Sequence, residues 1–182
     1  MKTRLILCLA ALAQVTRAAD PAPIPPPKVP VELLVSDGEQ VKLMAHGKGE
    51  QVYACKANAN GAEFGWVLKA PEATLTDDSG KVVGHHVIGP TWQWVDGSHT
   101  RGKVITSSRS SDPDSVPWLL LAAFDRTDDG ALSRVTSIQR VNTKGGRAPT
   151  TGCDGSHIDT EVRVPYSADY YFYFRPIPQR RQ

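Results

Sequence analysis

From Val31 onward, apolar and polar positions alternate with a period close to two, and turn-forming residues recur at short intervals. Val41, Leu43 and Ala45 alternate with Lys42, Met44 and His46, and Gly47-Lys48-Gly49 then predicts a turn into a second strand over 51–57. Asp77-Asp78-Ser79-Gly80 predicts another hairpin turn, between strands at 73–76 and 81–87. Further strands are predicted over 91–95, 102–107, 132–142, 161–164 and 170–174, about ten short strands in all. The apolar run 117–124 has the Leu and Ala content of a helix, but its short length between Pro117 and Asp125 favours a central strand. Residues 107–115 and 142–155 are rich in Ser, Gly, Thr, Asp and Pro and read as surface loops. A chain of 182 residues with this many strands packs as one all-β domain, an antiparallel sandwich or jelly-roll-like barrel.

The N-terminus follows a different pattern. Lys2 and Arg4 precede an apolar run from Leu5 to Ala13, and Thr16-Arg17-Ala18 supplies small residues for cleavage, so 1–18 reads as a secretory signal peptide. Leu5-Ile6-Leu7-Cys8 loosely resembles a lipobox, but cleavage there would leave almost no hydrophobic segment, and a lipid anchor is not expected. Residues 19–30 are Pro-rich and read as an extended linker, 31–176 as the all-β domain, and 177–182 as a disordered tail. The leader's apolar run is shorter than the roughly 20 residues a spanning helix needs, and no later stretch approaches that length. The mature protein is expected to be secreted or periplasmic.

Removing the leader changes the charge. It takes Lys2, Arg4 and Arg17 from the 21 cationic residues and leaves 18 against 19 acidic ones. A near-neutral chain whose basic cluster is confined to Arg175, Arg180 and Arg181 offers no electrostatic case for nucleic acid. It also leaves only Cys55 and Cys153, an even pair in an oxidising compartment, so one disulfide is predicted between them.

No cofactor is expected. There is no Gly-x-Gly-x-x-Gly between a strand and a helix, which argues against an NAD-dependent dehydrogenase, and no phosphate-binding loop or Gly-x-Ser-x-Gly elbow. The five histidines, His46, His85, His86, His99 and His157, show neither His-x-His nor His-Glu-x-x-His spacing, and adjacent His85 and His86 point to opposite faces of a strand, so no metal site is expected. Asp96-Gly97-Ser98-His99 recurs as Asp154-Gly155-Ser156-His157, which reads as two tight turns of one type. On one strand, Trp92, Trp94 and Asp96 share a face, so two indoles stand beside a carboxylate. This arrangement suits a sugar or another flat ligand unless an indole packs in the core. The aromatics of 164–174 lie on both faces of their strand, as in a central strand.

Several of these segments carry a family resemblance. Gln51-Val52-Tyr53-Ala54-Cys55, Gly84-His85-His86, Gly89-Pro90-Thr91-Trp92, Asp96-Gly97-Ser98, Pro117-Trp118-Leu119-Leu120-Leu121, Ile138-Gln139-Arg140-Val141-Asn142-Thr143 and Tyr166-Ser167-Ala168-Asp169-Tyr170, in this order, resemble the exported bacterial and fungal family called domain of unknown function thirty-four fifty-five. The resemblance spans roughly 31–174 and implies a shared fold without an assigned activity. Residue types near predicted loop ends mark His86, Trp92, Asp96, Arg140 and Asn142 as the candidate ligand site. The expected function is an exported binding or envelope-associated interaction module, with a small molecule or glycan as partner. The alternatives are a small exported enzyme, metal-assisted through His86, Asp96 and His99, and a purely structural surface protein.

Overall fold

The structure, a computed structural model, describes residues 22–176. They form eight antiparallel strands, β1 (Gln40–Ala57), β2 (Phe64–Thr76), β3 (Val82–Val87), β4 (Thr91–Trp94), β5 (His99–Ser108), β6 (Trp118–Phe124), β7 (Val135–Gly145) and β8 (Glu161–Phe174), preceded by one 3-10 turn at Val31–Leu33. Each strand pairs with the next in the chain, and β8 returns to β1, so the sheet closes into a barrel. The all-β, single-domain expectation holds in its barrel form, and closure leaves no unpaired sheet edge. No helix among the described residues is long and apolar enough to cross a membrane. The predicted leader at 1–18 and tail at 177–182 lie outside the described residues. In the Pro-rich stretch, residues 22–30 carry no regular structure, and Ile24, Pro27 and Val29 are half-buried, lining a cleft of about 710 Å³ with Val41, Gln139 and Tyr173.

The described residues form eight strands where about ten were predicted. Gly47-Lys48-Gly49 is not a turn, because β1 runs straight through it from Gln40 to Ala57. A side chain at Gly47 would place its Cβ 2.7 Å from Cε2 of Tyr170, so this glycine marks a close approach inside the barrel. The segments 161–164 and 170–174 are likewise one strand, β8, and Pro165 is accommodated there because the β7 ladder ends at the Gly145–Tyr166 pair beside it. The ambiguous run 117–124 is strand β6, and the predicted turn at 77–80 joins β2 to β3.

Strand parity assigns the lumen. Ala45 and Gly47 of β1 sit opposite Tyr170 and Ala168 of β8. His86 of β3 pairs with Trp92 of β4, and Ile138 and Arg140 of β7 pair with Phe172 and Tyr170. Of these inward positions, Ala45, Trp92, Ile138, Ala168, Tyr170 and Phe172 join Ala73, Leu75 and Leu121 in one contiguous buried cluster. Gly102 leaves room for Trp92, whose Cζ3 lies 2.8 Å from where a Cβ would stand. One end of the lumen is closed by Leu132 and Val135, both fully buried. Outside the barrel, Tyr173 donates to Gln139 Oε1, and Gln139 Nε2 donates to the carbonyl of Leu33 at 2.6 Å, which docks the 3-10 turn on β7 and β8.

Candidate functional site

Because consecutive strands alternate in direction, the connections 58–63, 88–90, 109–117 and 146–160 gather at one end of the barrel. The shorter turns 77–81 and 95–98, with the segment 125–134, gather at the other. The first end carries the Cys55–Cys153 disulfide predicted from the cysteine count, with Cα atoms 5.3 Å apart. Towards this end, the lining of the lumen changes from aliphatic to polar.

His86 stands on the inner face of β3, buried, while its neighbour His85 is exposed, as strand parity predicts. Its ring stacks on Trp92 with centroids 4.4 Å apart and meets Tyr170 edge-on at 5.2 Å. Nδ1 lies 3.0 Å from the carbonyl of Thr91, so Nδ1 carries the hydrogen and the neutral tautomer presents Nε2 as an acceptor. Burial pushes the imidazole down to about 3, and the charge of Arg140 acts in the same direction.

Tyr166 and Tyr170, four residues apart on β8, face the same lumen and share a hydrogen bond between their hydroxyls. Burial raises both phenols, Tyr170 well above its ordinary range, so both remain protonated; the nearby Arg140 guanidinium opposes that rise without cancelling it. Arg140, opposite Tyr170 on β7, donates from Nη2 to the carbonyl of Pro117 at 2.7 Å. It makes no ion pair with a described residue, and its Nε is buried without a partner among them. Gln51 packs with Tyr166 against Gly146, and a Cβ there would lie 3.1 Å from Gln51 Cγ and 3.0 Å from Tyr166 Cδ2. Gln51 Nε2 and Trp92 Nε1 are also buried without a partner among the described residues.

Of the five residues marked from the sequence, the structure brings His86, Trp92 and Arg140 together and places Asp96 and Asn142 elsewhere. Asp96 sits in the turn at the opposite end, where Oδ1 accepts from the backbone and hydroxyl of Ser98 at 2.9 and 2.6 Å and Oδ2 accepts from Ala131 N at 2.7 Å. The carboxylate therefore pins the segment whose Leu132 closes the barrel floor. Asp154 repeats the turn, accepting from Ser156 N and Oγ at 2.8 and 2.6 Å, so the recurring Asp-Gly-Ser-His is two copies of one turn. Asn142 has a positive φ of 51° at a bulge on the outer face and donates to Asp169 Oδ2 at 2.7 Å. Asp169 in turn holds His46 Nδ1 at 2.7 Å, and Asp78 lies 3.0 Å from His46 Nε2. His99 pairs with Gln93 on the face opposite His86. Among the described residues, no three His, Cys, Asp or Glu side chains group as metal ligands. The sequence reading missed Gln51, Tyr166 and Tyr170 as members of this cluster; a polar Gln at the same parity as Ala45 and Gly47 was the signal for the first.

Buried His86 makes stability depend on pH. In the unfolded chain the imidazole titrates near 6.5, whereas in the fold it stays neutral down to about 3, so on acidification the unfolded state takes up the proton first. Stability is therefore expected to be intact above about pH 7 and to fall below about pH 6 by about 1.4 kcal/mol per pH unit. Asp96 and Asp154 are held below the usual carboxylate range by their serine hydroxyls and contribute losses only at lower pH. His46, raised chiefly by Asp169, contributes on the other side, losing stability as pH rises through its folded value. Urea unfolding at pH 7, 6 and 5 checks this. The slope between pH 6 and 5 should be present in the natural protein and largely absent in His86→Phe.

A family model described as protein of unknown function (DUF3455) matches residues 36–174, a span that contains all eight strands. Neither the curated proteins nor the solved structures yield a match.

Proposed function

The chain belongs to the DUF3455 family of proteins of unknown function, and from that premise we propose that it is an exported binding module holding a small molecule in the polar end of its barrel lumen. One observation carries the reading. Four side-chain N–H groups are buried without a partner among the described residues, and three of them, on Gln51, Trp92 and Arg140, belong to inward-facing strand positions; the fourth is on Trp118 at the start of β6. A buried donor left unpaired costs about 1–3 kcal/mol, so three on inward-facing residues are better explained by a ligand that satisfies them than by folding alone. The leader-like N-terminus and the disulfide support export. The separation of Asp96 and His99 from His86 removes the arrangement on which a metal-assisted enzyme would rest.

A thermal-shift screen of small molecules against the full chain tests the proposal. A bound ligand at a hundredfold excess over its Kd stabilises the fold by about 2.7 kcal/mol, a shift of several degrees. The expected hits lose their effect in Arg140→Gln and in Gln51→Leu. Hits that persist unchanged in both variants, or a broad library without any hit, would overturn it.

A further inference from the structure

The chemistry of the lumen end narrows the class of ligand, and this step rests on the binding reading above. Gln51 and Trp92 are 2% and 1% exposed, and each keeps an unpaired N–H among the described residues. Arg140 adds its Nε–H. The bond between the Tyr166 and Tyr170 hydroxyls consumes one of their two hydrogens, so the other phenol has a hydrogen left to give. On the acceptor side stands neutral His86, through Nε2, and Arg140 has no carboxylate partner among the described residues. The balance is a surplus of donors around a fixed positive charge. A neutral ligand would leave that charge without a counter-ion, whereas two oxygens of one anion can take paired bonds from a planar guanidinium.

The approach to this end carries the same sign. A cleft of about 530 Å³ beside it is lined by Arg109, Asp112, Ser115, Pro117 and Arg147, and Pro117 is the residue whose carbonyl Arg140 holds. The acidic member, Asp112, is occupied: it accepts from Ser115 Oγ at 2.9 Å and from Asp114 N at 3.1 Å, and it faces Lys144 at 3.9 Å. Arg109 and Arg147 therefore leave the cleft attractive to anions. We infer that the ligand presents an oxyanion, a carboxylate or phosphate group, to Arg140, with the N–H groups of Gln51 and Trp92 and a phenol hydrogen completing its shell.

Calorimetric titration of the full chain with benzoate, phenyl phosphate and benzamide separates the possibilities. At least one anion should bind ten times or more tighter than benzamide, and Arg140→Gln should bring that anion down to the level of the amide. Binding of benzoate alone assigns a carboxylate, and binding of phenyl phosphate alone a phosphate. The comparison within the natural protein needs no variant to fold. Benzamide binding as tightly as both anions would overturn the oxyanion inference and leave the binding module standing. Silence from all three would count against both.

Discussion

Replacing Cys55 and Cys153 together by serine is expected to cost about 4–5 kcal/mol of stability, the largest single effect in this fold. The cysteines are 98 residues apart, and cross-linking so long a loop removes much of the freedom of the unfolded chain. For a domain of this size the loss corresponds to a fall in Tm of roughly 10–20 °C. The barrel should still form at lower temperature, because its eight ladders do not depend on the bridge. The bridge also acts locally. Cys55 exchanges backbone hydrogen bonds with the segment it staples, donating to Thr160 O and accepting from Asp159 N, both at 2.9 Å, and Trp66 Nε1 donates to Thr151 O at 2.8 Å. That segment includes Gly146, against which Gln51 and Tyr166 pack, so freeing it should also weaken ligand binding. Calorimetry of the double variant beside the natural protein gives the number. A change in Tm below about 3 °C would show that the unfolded chain gains little freedom when the bridge is cut.

Trp92→Ala follows closely, at about 3–5 kcal/mol. The indole is almost completely buried and sits at the centre of an aromatic group, stacked on His86, edge-on to Tyr170 at 5.5 Å and to Phe172 at 6.2 Å. Ordered ladders surround it on every side, so the strands cannot close over the void, and the cavity persists. Trp94, half-buried two residues on and packed on Phe172 at 5.7 Å, provides the internal comparison, and its alanine variant should lose clearly less. Urea unfolding of both variants measures the difference. Equal losses, or a loss under about 1.5 kcal/mol for Trp92→Ala, would mean that the lumen is not packed around this ring.

The sequence carried the fold class well and the site only in part, and the reason lies in what a single strand can declare. A period of two places His86 inward and His85 outward, and puts Trp92 and Trp94 on one face, whatever the neighbouring strands are. The Cys55–Cys153 pair followed from counting alone. Register, by contrast, belongs to two strands at once. That Arg140 stands opposite Tyr170, or Ala45 opposite the same ring, depends on pairings between residues far apart in the chain. The glycines show the same limit. Gly47-Lys48-Gly49 has the composition of a turn, and only the ring of Tyr170 across the lumen reveals it as a close approach. Reading it as a turn broke β1 in two, which interrupted the parity that runs from Ala45 through Gly47 to Gln51 and hid the buried amide. Asp96 and Asn142 have the residue types of a site near loop ends, but both make hydrogen bonds away from the lumen's polar end, one to the floor segment and one on the outer face.

The central claim is that the unpaired N–H groups at the disulfide end of the barrel receive a ligand. The indole N–H of Trp92, followed by nitrogen-labelled NMR during titration of the full chain with benzoate and with phenyl phosphate, tests it most directly. The account predicts that this resonance shifts and saturates with at least one anion, and that the N–H signal of Trp66, already donated to Thr151 O, moves less. If the Trp92 signal stays fixed while either anion binds, or through saturating additions of both, the polar end of the lumen is part of the fold and not a binding site.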